Sequence, residues 1–187
     1  MSTLEVNTIN PQSGTTITIG GSGDTVTLGS GATQSGFGGV NTPAFEAKMS
    51  GNQSVSNNAD TKVQFNTENF DTDGYYDHST NYRFTPLVSG KYFIYASVYL
   101  DSGTNSQFEN GDVSIRLNGS TVKQELKVMA NSYIKGMSIS TYKILDLNGT
   151  SDYVEVYARC FDNVGNPTFL AGTYPIFGGY KIIEWAY

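Results

Sequence analysis

The run from Gly90 to Leu100, Gly-Lys-Tyr-Phe-Ile-Tyr-Ala-Ser-Val-Tyr-Leu, constrains the fold more than any other feature of the sequence. Apolar residues alternate along it, and the positions between them are mostly aromatic. A short run with this composition is typical of a strand that is covered on both sides. It predicts a central strand whose core face carries Tyr92, Ile94, Ala96, Val98 and Leu100.

The opposite face of this predicted strand carries Phe93, Tyr95 and Tyr99. Contiguous aromatic surface of this kind is rarely left in water and often marks an interaction site. We therefore predict that these three residues form a subunit interface.

Further short runs with alternating polarity follow one another from about residue 43 to the end, with turn signals between them. Asn118-Gly119 is a strong two-residue hairpin signal between two such runs. No long segment has a helix-forming composition, while 21 Gly, 13 Tyr and 10 Phe are distributed along the chain. The pattern predicts an all-β sandwich or jelly roll over residues 41–187.

Residues 1–40 differ from the rest because they contain a repeat. Thr16-Ile17-Thr18-Ile19-Gly20 aligns with Thr25-Val26-Thr27-Leu28-Gly29 at a nine-residue spacing, and each unit resembles a short strand followed by a Gly-rich turn. Two repeats bury too little apolar surface to stabilise a lone chain. We therefore expect a short intertwined β-stem whose trimer core contains Ile17, Ile19, Val26 and Leu28. A flexible Gly/Ser linker is the alternative.

A family resemblance covers roughly residues 43–187 and is densest over 62–95. It rests on Lys62-Val63-Gln64-Phe65-Asn66, Phe70 to Asp77, Tyr82-Arg83-Phe84-Thr85-Pro86 and the closing Phe177-Gly178-Gly179-Tyr180. These residues resemble the globular head of the first complement component, within the tumour-necrosis-factor-like superfamily. The resemblance implies a ten-stranded jelly-roll head that assembles as a compact trimer, often on a fibrous stalk.

The opening residues, from Leu4 to Thr15, resemble the starts of bacteriophage fibre proteins. The start has no basic, apolar signal-peptide pattern, so we expect assembly in a host cytoplasm. These features favour a virion structural protein, a tail fibre or capsid decoration fibre. Its stem would attach to a capsid or tail protein, and its head would contact a host-surface glycan or protein. Candidate contact loops lie at Asp101 to Gly111, Ala130 to Tyr133 and Asp162 to Thr173.

Two alternatives remain open. The chain could be a cellular binding module of the complement-head type, on a bacterial surface or spore coat. It could also be a polysaccharide depolymerase, which the lack of an evident acid–base pair disfavours. No catalytic residue is predicted, because the single His78 lies in a polar loop and the single Cys160 continues the inward run of a strand.

No cofactor or firm metal site is predicted either. Asp71, Asp73 and Asp77 mimic part of a calcium loop, but Thr80 stands where the bidentate Glu belongs. The net charge of −6, with the basic residues scattered singly, argues against nucleic acid as a partner. No apolar segment approaches the roughly 20 residues of a membrane span, so membrane insertion is not expected.

Overall fold

A computed structural model of the chain describes residues 7–27, 29–32, 41–103, 107–130, 134–163 and 165–182. The chain divides into two compact units, Met1–Gly38 and Gly39–Tyr187.

The described residues of the first unit, 7–27 and 29–32, contain turns but no strand. The amide of Asp24 donates to the carbonyl of Gly21 at 3.1 Å, and the amide of Ala32 donates to that of Gly29 at 3.0 Å. The repeats, which are predicted to pair as strands between three intertwined chains, therefore form no strand within these residues of one chain. A strand needs a hydrogen-bonded neighbour, and the described residues of this unit supply none.

The aliphatic side chains of the repeats lie in solvent in the single chain. Ile17, Ile19 and Val26 are 39%, 59% and 65% exposed. Leu28 lies outside the described residues. Whether three chains cover these side chains remains a prediction.

The second unit is all-β, as predicted. Its strands are β1 (Ala44–Lys48), β2 (Gln53–Ser54), β3 (Thr61–Lys62), β4 (Thr67–Asp71), β5 (Tyr76–Asp77), β6 (Arg83–Phe84), β7 (Gly90–Asp101), β8 (Phe108–Leu117), β9 (Ser120–Val128), β10 (Gly136–Leu147), β11 (Val154–Asp162), β12 (Thr168–Leu170) and β13 (Ile176–Lys181). The described residues thus form thirteen strands where ten were expected, because several strands are segments of only two or three residues.

The strands form two antiparallel sheets that pack as a sandwich. The seven-stranded sheet A follows the order β2-β12-β7-β13-β1-β4, and β10 pairs with the other edge of β7. The six-stranded sheet B follows the order β5-β6-β11-β8-β9, with β3 paired to β11. Consequently β7 is the central strand of sheet A, with β10 on one side and β13 and β12 on the other.

The core between the sheets is aromatic and aliphatic. Phe45 on β1 lies at its centre, with ring centroids 4.3 Å from Phe84 and 4.9 Å from both Tyr76 and Phe177. Burying one such ring stabilises the folded state by roughly 1.5–3 kcal/mol relative to leaving it exposed to water. The predicted core face of β7 is confirmed, since its members Tyr92, Ile94, Ala96, Val98 and Leu100 are all buried.

The predicted hairpin is also confirmed. Asn118 and Gly119 connect β8 to β9 with φ values of 52° and 79°, and Leu117 pairs with Ser120 across the turn. Both central residues therefore have the positive φ of a type I′ turn, which matches the twist of the flanking strands. In the part of the chain that the structure describes, no helix is long and apolar enough to span a membrane.

Candidate functional site

The outer face of sheet A carries an aromatic cluster that begins on β7. Phe93 and Tyr95 lie on the side of β7 opposite the core and are half-buried. The antiparallel register sets Tyr142 and Ile144 of β10 beside them on one flank and Tyr180 of β13 on the other. Cross-strand partners share a face of the sheet, so these five side chains project together. We call them the aromatic face.

Phe93 is the hub of the aromatic face. Its ring centroid lies 5.6 Å from Tyr180, 5.9 Å from Tyr142 and 6.1 Å from Tyr95. These spacings are within the range of favourable aromatic pairs. The outer members remain in solvent in the single chain, with Tyr142 67% and Ile144 54% exposed.

Tyr95 reaches across β13 to β1 and anchors the centre of the face. Its hydroxyl donates to Glu46 Oε2 at 2.7 Å, and Asn69 Nδ2 donates to Glu46 Oε1 at 2.8 Å. Burial, together with the hydrogen bond to Glu46, raises the pKa of Tyr95. The tyrosine therefore stays a neutral donor, and both oxygens of the Glu46 carboxylate are satisfied.

Glycine at position 178 makes this reach possible. A β-carbon there would collide with the ring and hydroxyl of Tyr95. The ring thus occupies space that the side chain of any other residue type at position 178 would fill. Aromatic side chains often cover a glycine on a neighbouring strand in this way.

Tyr99 lies farther along the same side of β7, where its ring centroid is 4.9 Å from that of the exposed Tyr174. Phe70 of β4 pairs with Glu46 and is also exposed. The apolar surface therefore extends beyond the aromatic face along sheet A. Exposed aromatic clusters of this kind are common at protein interfaces, and the predicted interface role of the patch remains a prediction.

Sequence reasoning identified Phe93, Tyr95 and Tyr99 but missed Tyr142, Ile144 and Tyr180. These three residues belong to strands that local alternation did predict. Their meeting with β7 depends on strand order and register, which alternation does not determine. The roles assigned to all of these residues remain predictions.

The carboxylates of the calcium-like loop accept hydrogen bonds from nearby groups of the same loop. Asp71 accepts the amides of Asp73, Gly74 and Tyr76 at 2.8–3.2 Å. Asp73 accepts a hydrogen bond from the hydroxyl of Thr72. Among the described residues, no group of three or more His, Cys, Asp and Glu side chains is placed to hold a metal ion.

Asp77 organises the next turn. Its carboxylate accepts the amides of Thr80, Ser79 and Asn81 and the Nδ2 group of Asn81. The Thr80 amide is the main cause that lowers the pKa of Asp77, with further lowering from Asn81 and Ser79. The carboxylate is thus ionised and holds a structural loop.

The two residues considered for nucleophilic chemistry have different environments. His78 is half-exposed, and its Nδ1 lies 2.6 Å from Glu68 Oε1. Cys160 is fully buried in the core, and burial is the main cause that raises its pKa to about 12. A buried, protonated thiol is a poor nucleophile.

The loops predicted to contact a host are shorter than expected. Residues from Phe108 belong to β8, and Thr168–Leu170 forms β12 at the edge of sheet A. Of the remaining loop, Ala130 to Tyr133, only Ala130 lies within the described residues. The polar composition of these segments did not indicate that parts of them form strands paired with neighbouring strands.

No family model and no curated protein sequence matches the chain. Solved structures do match. The globular domain of zebrafish complement 1qA protein is 18% identical with a TM-score of 0.53, covering 77% of this chain and 100% of that one. The Eiger TNF of S. frugiperda is 14% identical with a TM-score of 0.55, covering 77% and 94%. Murine APRIL is 14% identical with a TM-score of 0.53, covering 74% and 98%.

These likenesses confirm the fold that the sequence resemblance implied. The second unit has the jelly-roll fold of these complement and tumour-necrosis-factor structures.

Proposed function

We propose that this chain is a non-enzymatic subunit of a homotrimer and that its heads associate through the aromatic face. The observation that carries the proposal is the cluster around Phe93, because Tyr142 and Ile144 are more than half exposed in the single chain. Aromatic residues are enriched at subunit interfaces, and a closed cyclic assembly would cover the face on every copy.

The polar centre of the face suits such an interface. Burying an ionised carboxylate is costly unless it is hydrogen-bonded. Glu46 enters the interface with both oxygens already accepting, from Tyr95 and Asn69. Desolvation of the face therefore removes less hydrogen bonding from Glu46 than it would from a bare carboxylate.

The stem supports assembly by a separate argument. Ile17, Ile19 and Val26 are 39–65% exposed in the single chain. Strands missing from the single chain would form if three stems paired with one another, because interchain pairing supplies the hydrogen-bonding neighbours. The proposed trimer core of the stem therefore comprises these residues and Leu28.

We place this trimer on a bacteriophage particle, as a tail fibre or capsid decoration fibre. The resemblance of Leu4 to Thr15 to phage fibre starts and the Gly-rich repeat that follows support this assignment. In this proposal the stem attaches to a capsid or tail protein, and the head contacts the host surface.

A cellular binding module is the second candidate. The observation that favours it is the match of the head to the whole of a complement globular domain, which occurs without a phage context. A head of this kind on a bacterial surface or spore coat would have the same fold and the same aromatic face.

Immunogold labelling with an antibody against the head distinguishes the two candidates. The proposal expects gold particles at one fixed position on purified virions and loss of labelling from virions whose copy of the chain lacks residues 1–36. Labelling of cell surfaces or spores in uninfected cultures would contradict the virion assignment and support the second candidate.

A further inference from the structure

The outer face of sheet B carries a polar cleft of about 290 Å³. Its floor is β8, where Asp112 and Ser114 are 2% and 1% exposed. Gln124 of β9 forms one wall, because it pairs with Ser114 and so projects from the same face. The opposite wall is formed by Arg159 of β11 together with Asn58, which approaches from the loop before β3.

The wall on the β11 side is fixed by hydrogen bonds. Arg159 Nε donates to Asp112 Oδ2 at 2.7 Å, and its Nη1 donates to the side-chain oxygen of Asn58 at 3.3 Å. Arg116 stacks over the ring of Tyr157, with its Cζ 3.7 Å from the ring centroid, and pairs with Asp60. Both guanidinium groups are thus held in place before any ligand arrives, which lowers the entropic cost of binding.

The charges of the residues that line the cleft balance, since it contains two carboxylates and two guanidinium groups. Arg159 pairs with Asp112 and Arg116 with Asp60, while Lys62 pairs with Glu155 beside them. The charged residues Lys123, Glu125 and Lys127 of β9 alternate with Gln124 and belong to the other side of that strand. The cleft therefore has no surplus charge with which to attract an anion or a cation.

The cleft also keeps unused hydrogen-bonding groups. The side chains of Thr121 and Gln124 line it and have no hydrogen-bond partner among the described residues. Arg116 Nε is buried without an acceptor in the same part of the structure. Donors and acceptors thus occur together in one small volume, and hydroxyl groups, which both donate and accept, complement such a set.

We propose that this cleft binds one sugar unit of a neutral saccharide. The volume is at the lower end of ligand sites, which suits a single ring rather than a long chain. The balanced charge favours an uncharged ligand, and the mixed donors and acceptors favour one that is rich in hydroxyls. The inference deepens the proposed host contact of the head and to that extent rests on the proposed function.

The cleft and the aromatic face lie on the outer sides of the two opposite sheets of the sandwich. Association through the outer face of sheet A therefore leaves sheet B facing outward. Each copy of a trimer would present one cleft, and three weak sites on one particle component would bind a repetitive glycan through multivalency.

Saturation-transfer NMR on the full-length protein tests the site. The probes are methyl glycosides of glucose, galactose and mannose, with glucuronic acid and N-acetylneuraminic acid as charged competitors. We expect transfer to the ring protons of at least one neutral glycoside. Gln124→Ala should weaken binding about fivefold, the effect of losing one hydrogen bond. Gln124→Trp should fill the cleft and abolish the signal.

Gln64→Trp is the matched control, because Gln64 is exposed and lies outside the cleft; it should bind like the unaltered protein. Absence of transfer to every neutral glycoside, transfer that survives Gln124→Trp, or binding of the acidic sugars alone would overturn the inference. The mass of the same sample is measured by light scattering. A trimer that fails to bind sugar contradicts the cleft alone, whereas a monomer contradicts the proposed assembly.

Discussion

The ring of Tyr95 on β7 lies over Gly178 on β13, in space that a β-carbon would otherwise occupy. From there its hydroxyl reaches Glu46 on β1. The side chain of Tyr95 therefore connects three adjacent strands of sheet A and is fixed in position at the centre of the aromatic face.

Gly178→Ala should displace Tyr95. The added methyl group collides with the ring, so the tyrosine must move and lose its hydrogen bond to Glu46. Overpacking of this kind costs about 1–3 kcal/mol. We expect a lower thermal midpoint at fixed protein concentration. Gly51→Ala is the control, because Gly51 has open space around it and an ordinary φ. Equal midpoints for the two variants would contradict the account of Tyr95.

Ile144→Asp should break the assembly without unfolding the head. Ile144 is 54% exposed in the single chain, so a charge there costs a monomer little. In a trimer it would desolvate three carboxylates and bring like charges together, at a cost of several kcal/mol. In protein that lacks residues 1–36, and therefore the proposed stem contacts, light scattering should show a monomer, with circular dichroism unchanged. Leu87→Asp introduces the same charge at a residue that is 58% exposed outside the aromatic face, and this variant should remain a trimer.

Asp77→Asn should lower stability at neutral pH and have less effect in acid. The loop amides, that of Thr80 first, lower the pKa of Asp77 in the folded protein below the value of about 3.9 in an unfolded chain. The stabilisation by the ionised form is fully present above that unfolded value and is lost as the pH falls through the folded pKa.

We expect this variant to lose about 1 kcal/mol at pH 7, seen as a drop of about 3 °C in the thermal midpoint, and less below pH 4. Asp146→Asn removes the same charge from an exposed surface pair with Lys91 and serves as the control. The assigned role would be contradicted if the thermal midpoints of Asp77→Asn and the unaltered protein differed by the same amount from pH 7 to pH 3.

Cys160 should not react with thiol reagents in the native protein. Its side chain is fully buried, and burial raises its pKa to about 12, so almost no thiolate is present at pH 8. Ellman's reagent should detect no thiol in buffer and one per chain in denaturant. Rapid modification under native conditions would show that Cys160 is outside the core.

Local sequence patterns predicted the elements whose evidence is itself local. Alternation over Gly90 to Leu100 identified the core face of β7, and Asn118-Gly119 identified a hairpin, because both features depend on neighbouring residues. The resemblance over 62–95 identified the jelly roll. The number of strands was less accurate, since two-residue strands leave no periodic pattern to detect.

Features that depend on pairing across the chain were not predictable in the same way. Tyr142 and Tyr180 join Phe93 only through the register of β10 and β13, and the cleft around Ser114 requires β9, β11 and the loop at Asn58 to meet. The repeat in the stem has strand-like alternation but forms no strand within its described residues in a single chain. Alternation selects a face and does not supply a hydrogen-bonding partner.

The molar mass of the full-length protein in solution tests the assembly most directly. Size-exclusion chromatography with light scattering at micromolar concentration should give three times the 20.3 kDa of one chain. A mass equal to that of one chain would mean that Tyr142 and Ile144 stay exposed to solvent, and it would contradict the proposed trimer.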